Sequence, residues 1–146
     1  MFQLSIAALV FATLFAGAAL YISLVEHPAR LGLADSPLLA QWQPSYKRAL
    51  PIQSGLAVAG GIAGLLVGYL SSDLRWFAGS ILLLANWPFT LLAIMPVNKR
   101  LMAMGEYEAD AGSRAMLVQW GKLHNVTSTL GAAAALVFAW ALAGAG

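Results

Sequence analysis

The sequence predicts an all-α integral membrane protein built as a four-helix bundle. Hydrophobic residues make up 60% of its 146 residues and charged residues only 10%, whereas average soluble domains have about 45–50% and about 25%. A soluble chain of this size could not bury so much apolar surface, because small domains have the poorest ratio of interior to surface. The composition also argues against disorder, and the sequence has neither a cluster of cations for nucleic acid nor any cysteine for disulfides or thiolate metal sites.

Four apolar segments are long enough to cross a bilayer, which takes about 20 helical residues. These predicted spans cover about residues 1–25, 51–70, 76–95 and 115–144. They belong to one domain, residues 1–146. The first has no basic segment ahead of it and a longer apolar run than a signal peptide, so we expect a retained span. The second starts at Pro51, which suits the first turn of a helix, and the third is expected to kink at Pro88, which cannot donate a backbone hydrogen bond.

The basic residues are distributed unevenly among the connections between these spans. Only Arg75 lies in the second connection, and the other Lys and Arg residues lie in the first and third. Basic residues concentrate on the cytoplasmic side of a membrane. We therefore predict a protein of the plasma or inner membrane, with connections 26–50 and 96–122 in the cytoplasm and both termini outside it.

Both cytoplasmic connections are expected to carry short interfacial helices. Leu38, Leu39, Trp42 and Tyr46 recur at helical spacing ahead of a basic pair, as in helices that lie in the membrane surface. A second, weaker amphipathic stretch covers residues 101–116.

Two spans carry ridges of small residues at a spacing of four. Such ridges let helix backbones approach closely in lipid, where no hydrophobic drive brings helices together. Packing within the bundle and homodimerisation through one ridge would both use them. The residues are Gly60, Gly64 and Gly68 on the second span and Gly131, Ala135, Ala139 and Ala143 on the fourth.

Polar side chains gather at the cytoplasmic end of the predicted bundle. Four alternating spans bring the ends of the first and third spans and the starts of the second and fourth to one membrane level. The residues that this topology brings together are Glu26, His27, Gln53, Asn98 and His124. His124 shares a helix face with the small-residue ridge, so that face should look inward, and an inward ionisable residue is a functional-site candidate. Pro28 is expected to place His27 in a turn, because the residue before a proline disfavours helical geometry.

The same residues are also candidate ligands of a metal ion or of haem. Glu26, His27 and His124 would form the two-histidine, one-carboxylate set that holds non-haem iron, and the two histidines could serve as axial ligands of haem. The sequence has no Glu-x-x-His motif of the di-iron kind. Iron, copper, haem and a protein that needs no cofactor all stay open.

Four motifs give the chain a resemblance that covers nearly its whole length. They are Tyr-Ile-Ser-Leu-Val-Glu-His-Pro-Ala-Arg at 21–30, Trp-Pro-Phe-Thr at 87–90, Ile-Met-Pro-Val-Asn-Lys-Arg-Leu at 94–101 and Trp-Gly-Lys-Leu-His-Asn at 120–125. In this order they resemble the anthrone oxygenase-like family of small four-helix membrane proteins. The best-known members oxidise an anthrone to an anthraquinone with molecular oxygen and without an added cofactor.

The resemblance implies an oxygenase that acts on a lipophilic aromatic, anthrone-like substrate. His124 would be the general base, because an ordinary imidazole pKa of about 6.5 suits proton transfer near neutral pH. Glu26 or His27 would orient it or hold the substrate, and Asn98 would donate a hydrogen bond to the developing oxyanion. The expected catalytic residues are thus His124, His27, Glu26 and Asn98. The expected substrate contacts are Trp120, Trp87, Trp42, Gln53 and Asn125, with the three tryptophans enclosing a flat ring.

Two other functions stay open at this stage. The glycine ridge on the second span and the short connections also suit a non-enzymatic subunit that scaffolds a larger membrane complex. A metal- or haem-binding redox protein is the third reading. The expected partners are the lipid bilayer and a lipophilic small molecule, with a homo-oligomer or a complex partner left open and no nucleic acid.

Overall fold

The computed structural model describes residues 1–144, so the last two residues of the predicted domain lie outside the described residues. Long helices follow one another along this part of the chain, and each is apolar enough to cross a membrane. They are α1 (Phe2–Leu31), α2 (Asp35–Ser71), α3 (Leu74–Ala103) and α4 (Ala111–Ala143). No β-strand occurs within residues 1–144. The chain is therefore an integral membrane protein with an all-α fold, as predicted.

The four helices form a bundle in which each packs against two neighbours. α1 packs against α2 and α4, and α3 packs against the same two helices. Short connections make consecutive helices antiparallel. The ends of α1 and α3 therefore meet the first halves of α2 and α4 at one end of the bundle, which we call the site end.

α2 is longer than its predicted span and includes the segment that we expected to form a separate interfacial helix. It begins at Asp35 and runs without a break past Pro51. Trp42 is fully buried, in a cluster that also contains Leu101 from α3 and Leu117 from α4. The apolar face of this segment is covered by protein and not by lipid headgroups. Packing from two helices offsets the hydrogen bond that a proline removes from a helix interior.

α4 also begins earlier than predicted, because its start is capped. The Asp110 carboxylate accepts a hydrogen bond from the backbone N–H of Ser113 (2.9 Å), and the Ser113 hydroxyl accepts one from the backbone N–H of Asp110 (2.9 Å). This reciprocal capping satisfies two backbone donors. The helix therefore starts at Ala111, after a short 3-10 turn at Glu106–Glu108.

α1 and α3 each contain a π-helical turn two residues ahead of a proline. The turns are Ile22–Glu26, ahead of Pro28, and Thr90–Ile94, ahead of Pro96. In the first, the His27 N–H bonds to the carbonyl of Ile22, and His27 keeps helical dihedrals (φ −67°, ψ −45°). The expectation that His27 is a turn residue is therefore wrong. The wide turn places the proline in the first turn of the next helical segment, where its missing N–H leaves no bond unmade.

The glycine ridge of α2 packs inside the bundle. A Cβ on Gly64 would lie 2.5 Å from Cζ of Phe138, and one on Gly60 would lie 2.9 Å from Cδ2 of Leu83. Both distances are too short for a real side chain, so only glycine lets these helices approach so closely. This ridge is consequently occupied by α1, α3 and α4 and is not an outer face for a partner.

The small-residue ridge predicted on α4 is only partly correct. Gly131 is buried, but Ala139 and Ala143 are exposed. A spacing of four advances the helix by about 400°, so a ridge at that spacing drifts off a straight face by about 40° per step. The face that packs alternates steps of three and four, through Gly131, Ala134, Phe138 and Ala141.

Candidate functional site

A cavity of about 60 Å³ lies among the four helices at the site end. We call it the polar cavity. A space of this size holds about four water molecules. Its polar and aromatic lining includes Arg30, Trp42, Gln53, Asn98, Trp120, His124 and Thr127.

His124 is oriented by a chain of hydroxyl groups that links α4 to α1. Its Nδ1 lies 3.0 Å from the Ser23 hydroxyl, which lies 2.8 Å from the Ser128 hydroxyl. Ser128 in turn donates to the carbonyl of Ala19 (2.9 Å) or to that of His124 itself (3.2 Å).

The direction of this chain determines the tautomer of His124. When Ser128 donates to a carbonyl, it accepts the proton of Ser23. Ser23 then has no proton left for the imidazole, so Nδ1 of His124 carries the hydrogen and Nε2 is an acceptor. In the reverse direction Ser128 donates to Ser23, Ser23 donates to Nδ1, and Nε2 carries the hydrogen. His124 lines the polar cavity in both cases.

Trp120 joins the two histidines of the site. Its ring stacks on His124 (4.8 Å between centroids, 21° between planes) and contacts His27 at 5.0 Å. The His27 ring also packs so closely on Gly121 that a Cβ there would lie 2.5 Å from its Cδ2 and Nε2. His27 thus supports Trp120 and does not line the polar cavity.

Arg30 is a buried cation at the polar cavity, and Glu26 holds it there. The guanidinium Nη2 forms an ion pair with the Glu26 carboxylate, and only 4% of Arg30 is exposed. The Ser45 hydroxyl donates to the same carboxylate oxygen (2.6 Å), and so does the Gln41 amide (3.2 Å). Arg30 was not among the residues expected at the site, although its spacing of four from Glu26 on a helix could have indicated the pair.

The polar cavity contains several hydrogen-bond donors without a partner among the described residues. In the described part of the chain, no partner is present for several buried donor atoms that belong to cavity-lining residues. An unsatisfied buried donor costs about 1–3 kcal/mol, so a group of them in one cavity indicates a site for an acceptor. These atoms are Nε of Arg30, Nε1 of Trp42 and Trp120, Nε2 of Gln53, Nδ2 of Asn98 and Oγ1 of Thr127.

Aromatic rings form part of the wall of the polar cavity. Trp42 stacks on Tyr46 (5.0 Å, 4°) and meets Trp120 edge to face (5.7 Å, 81°). The Asn98 amide approaches the Tyr46 hydroxyl without forming a hydrogen bond of ordinary geometry. Such a wall suits part of a flat aromatic molecule whose oxygen points toward the donors.

A second cavity, of about 220 Å³, adjoins the polar cavity, and we call it the side chamber. It contains the side chain of Trp87, which is 47% exposed. Both cavities share Leu50, Gln53, Thr90 and Thr127 as lining residues. The two spaces are therefore neighbours that share part of their lining.

The residues expected at the site are distributed over three places. His124, Asn98, Trp42, Trp120 and Gln53 line the polar cavity, and Trp87 lines the side chamber. Glu26 and His27 contact residues of the polar cavity without lining it. Asn125 is exposed and lines neither space, because adjacent residues on a helix point about 100° apart.

The residues present do not fit the metal centres considered from the sequence. Among the described residues, no three His, Asp or Glu side chains are grouped to bind a metal. The Glu26 carboxylate is bound by Arg30 and Ser45, and Nδ1 of His124 is bound by Ser23. A porphyrin between the two histidines would need far more space than the polar cavity offers. The set of Glu26, His27 and His124 is therefore not a metal-ligand set in this structure.

Comparison with known proteins gives one family. A family model described as anthrone oxygenase matches residues 42–137. A curated anthrone oxygenase from Claviceps purpurea (strain 20.1) is 27% identical over 146 aligned positions, which cover 90% of this chain and 84% of the relative. No solved structure matches the chain.

Proposed function

Because this chain belongs to the anthrone oxygenase family, we propose that it oxidises a flat, lipophilic aromatic ketone of the anthrone type with molecular oxygen. One observation carries the proposal: His124 shares its cavity with a group of buried donors that lack partners among the described residues. An anthrone has a methylene carbon between two aromatic rings and a carbonyl opposite. Its oxidation needs a base for the carbon and donors for the oxygen.

The first step is removal of a proton from the methylene carbon. Nε2 of His124 accepts this proton, and the electron pair moves through the ring to the carbonyl oxygen. Nδ1 stays hydrogen-bonded to Ser23, so the imidazolium that forms keeps its orientation. General base catalysis of this kind contributes about 10²–10⁴-fold to a rate.

The negative charge that develops on the oxygen is stabilised by the donors of the polar cavity. The Arg30 guanidinium and the Asn98 amide both line this space, and preorganised donors stabilise a developing oxyanion without having to reorganise. The ion pair with Glu26 keeps the guanidinium in place while leaving its Nε–H unpartnered in the described residues.

Oxygen then reacts with the electron-rich carbon. The enolate passes one electron to O₂, and the two radicals combine to form a carbon–oxygen bond. The peroxide takes the proton held by His124. Loss of the second proton from the same carbon cleaves the oxygen–oxygen bond, so that a second carbonyl and one water are formed. One anthrone and one O₂ thus give one anthraquinone and one water.

The test is oxidation of anthrone by the purified protein in lipid nanodiscs, measured as oxygen uptake and quinone absorbance above that of empty nanodiscs. We expect wild-type activity, and we expect His124→Ala to lower it by about 10²–10⁴-fold. Gln119→Ala is the matched control, since Gln119 is exposed on the same helix. An unchanged rate in His124→Ala would contradict the assignment of the base, and a wild-type rate no higher than that of empty nanodiscs would contradict the function.

A further inference from the structure

The side chamber reaches the outer surface of the bundle at the middle of α3. Trp87 and Leu91 line it, and both are about half exposed (47% and 53%). Trp87 lies 13 positions after Leu74, the first residue of α3, which is about 20 Å along the helix axis. Since the hydrocarbon core of a bilayer is about 30 Å thick, this exposed surface faces lipid tails.

The side chamber also contains an unpartnered acceptor. Asn86 is 3% exposed, and its Nδ2 donates to the carbonyl of Leu83 (3.0 Å). Within the described residues its Oδ1 has no hydrogen-bond partner. A buried amide oxygen without a donor costs free energy that a ligand hydroxyl would recover. The side chamber thus offers an acceptor, beside the donors of Gln53 and Thr127 that it shares with the polar cavity.

The volumes of the two spaces indicate which part of a substrate each of them can hold. A cavity of about 150 Å³ holds one benzene ring. The polar cavity alone, at about 60 Å³, is too small for a ring, whereas the side chamber, at about 220 Å³, has room for one. A molecule of fused rings can therefore bring its reacting carbon and its oxygen to the groups of the polar cavity only if it extends into the side chamber.

We propose that the side chamber is the binding site for the distal ring of a polycyclic phenolic ketone, which enters sideways from the bilayer, and that Asn86 accepts a hydrogen bond from a hydroxyl on that ring. The site rests on the proposed function for its reacting end, but its occupant follows from the lipid-facing opening, the volume and the unpartnered oxygen. Asn86 is accordingly a specificity-determining residue. Its amide oxygen recognises a hydroxyl group that is remote from the reacting carbon.

Binding to the side chamber is tested without turnover. Anthraquinone is a flat ketone with no methylene carbon to oxidise, and its binding in nanodiscs is followed by quenching of tryptophan fluorescence. Ser54 lines the side chamber, whereas a Cβ on the adjacent Gly55 would have no atom within 4 Å. We expect Ser54→Phe to weaken binding about tenfold or more, because it displaces a buried ring, and Gly55→Phe to leave it unchanged.

A second measurement locates the ligand without changing the packing. Trp87 lines the side chamber, whereas Trp140 lies beside Arg75 near the other end of the bundle. If the ring binds in the side chamber, Trp87→Phe removes a large part of the fluorescence that anthraquinone quenches, and Trp140→Phe does not. Equal loss of the quenched signal in the two variants would overturn the proposed site.

The role of Asn86 is tested by a preference between two ligands. We expect the wild type to bind 2-hydroxyanthraquinone about threefold to tenfold more tightly than anthraquinone, the effect of one neutral hydrogen bond. Asn86→Leu should abolish this preference, while Gln119→Leu, on an exposed face, should keep it. A preference that survives in Asn86→Leu would overturn the assignment.

The outcomes separate this inference from the proposed function. If the protein binds anthraquinone in the side chamber but does not oxidise anthrone, the function fails and the binding site stands. If the protein oxidises anthrone while Ser54→Phe binds and turns over as Gly55→Phe does, the function stands and the side chamber is overturned.

Discussion

At the scale of single residues, the Arg30 guanidinium shows how one buried charge is made tolerable. Removing an arginine from water is costly unless a carboxylate and further hydrogen bonds accompany it. Glu26 supplies the carboxylate, and the Ser45 hydroxyl donates to the same oxygen. The pair leaves Arg30 charged beside a cavity in which an oxyanion would form.

This pairing predicts a non-additive loss of stability. Glu26→Gln should lower the free energy of unfolding by about 3 kcal/mol, because it leaves a buried cation without its partner. Glu26→Gln combined with Arg30→Met should recover most of that loss, since no buried charge remains, yet it should oxidise anthrone more slowly than the wild type, because the Arg30 donor is lost. Chemical unfolding in detergent of the wild type, Glu26→Gln, Arg30→Met and the double variant gives the four free energies. Losses that simply add would show that the two side chains are not coupled.

The chain of hydroxyl groups that orients His124 predicts that removal of the Ser128 hydroxyl changes the tautomer of His124. In Ser128→Ala the Ser23 hydroxyl has no acceptor in Ser128 and can donate to Nδ1, so the proton can move to Nε2. We expect kcat to fall about tenfold or more with little change in KM, because a base of the wrong tautomer cannot accept. Nitrogen NMR of labelled histidine reports the tautomer directly.

Thr129→Ala is the matched control for this variant. Its hydroxyl donates to the carbonyl of Asn125 (2.9 Å) on the exposed face of α4. The control should keep both the rate and the histidine spectrum of the wild type. A Ser128→Ala protein that also keeps them would show that the hydroxyl chain does not set the tautomer.

At the scale of elements, the two π-helical turns and one glycine bring α1, α3 and α4 together at the site. Ser23 lies within the turn at Ile22–Glu26, and Thr90 begins the other turn. π-turns within α-helices are frequent at functional sites. Gly121 gives the His27 ring its place between α1 and α4.

Gly121→Ala should therefore destabilise the protein. The new methyl group would stand 2.5 Å from the His27 ring, so the ring or the helix must move, at about 1–3 kcal/mol. Gly55→Ala should be neutral or stabilising, since nothing lies within 4 Å of that position and alanine favours a helix by up to about 1 kcal/mol. Thermal unfolding of both variants in one detergent compares them, and equal midpoints would contradict the contact.

At the scale of the whole molecule, the charges differ between the two ends of the bundle. At the end opposite to the site, Arg75 forms an ion pair with Asp73 (2.8 Å). The hydrogen bonds from Arg75 hold the pKa of the Asp73 carboxyl below its usual value, so the carboxylate stays charged and offsets the arginine. The exposed cations at the site end, by contrast, include Lys47, Arg48 and Lys122.

This asymmetry predicts the orientation in the membrane. By the positive-inside rule we expect the site end to face the cytoplasm and both termini to face outward. A reporter that is active only outside the cytoplasm, fused to either terminus, should be active, and one that fluoresces only inside should be dark. Fluorescence of a C-terminal fusion would contradict this orientation.

The sequence by itself determined the membrane class, the helical fold and the end of the bundle at which the polar residues meet. These features depend on composition and on periodicity within one segment, which neighbouring helices do not alter. The inward face of His124 was predictable for the same reason. It shares a helical face with Trp120, Ser128 and Gly131, and all of them are buried.

Only the tertiary structure decided which polar groups line the cavity. Glu26 and His27 contact residues of the cavity without lining it, and Arg30 lines it instead. The α2 segment around Trp42 became core because α3 and α4 cover it. Each of these outcomes depends on how a helix is rotated about its own axis and on what its neighbour presents there, and that rotation is fixed by packing between helices that are distant in the chain.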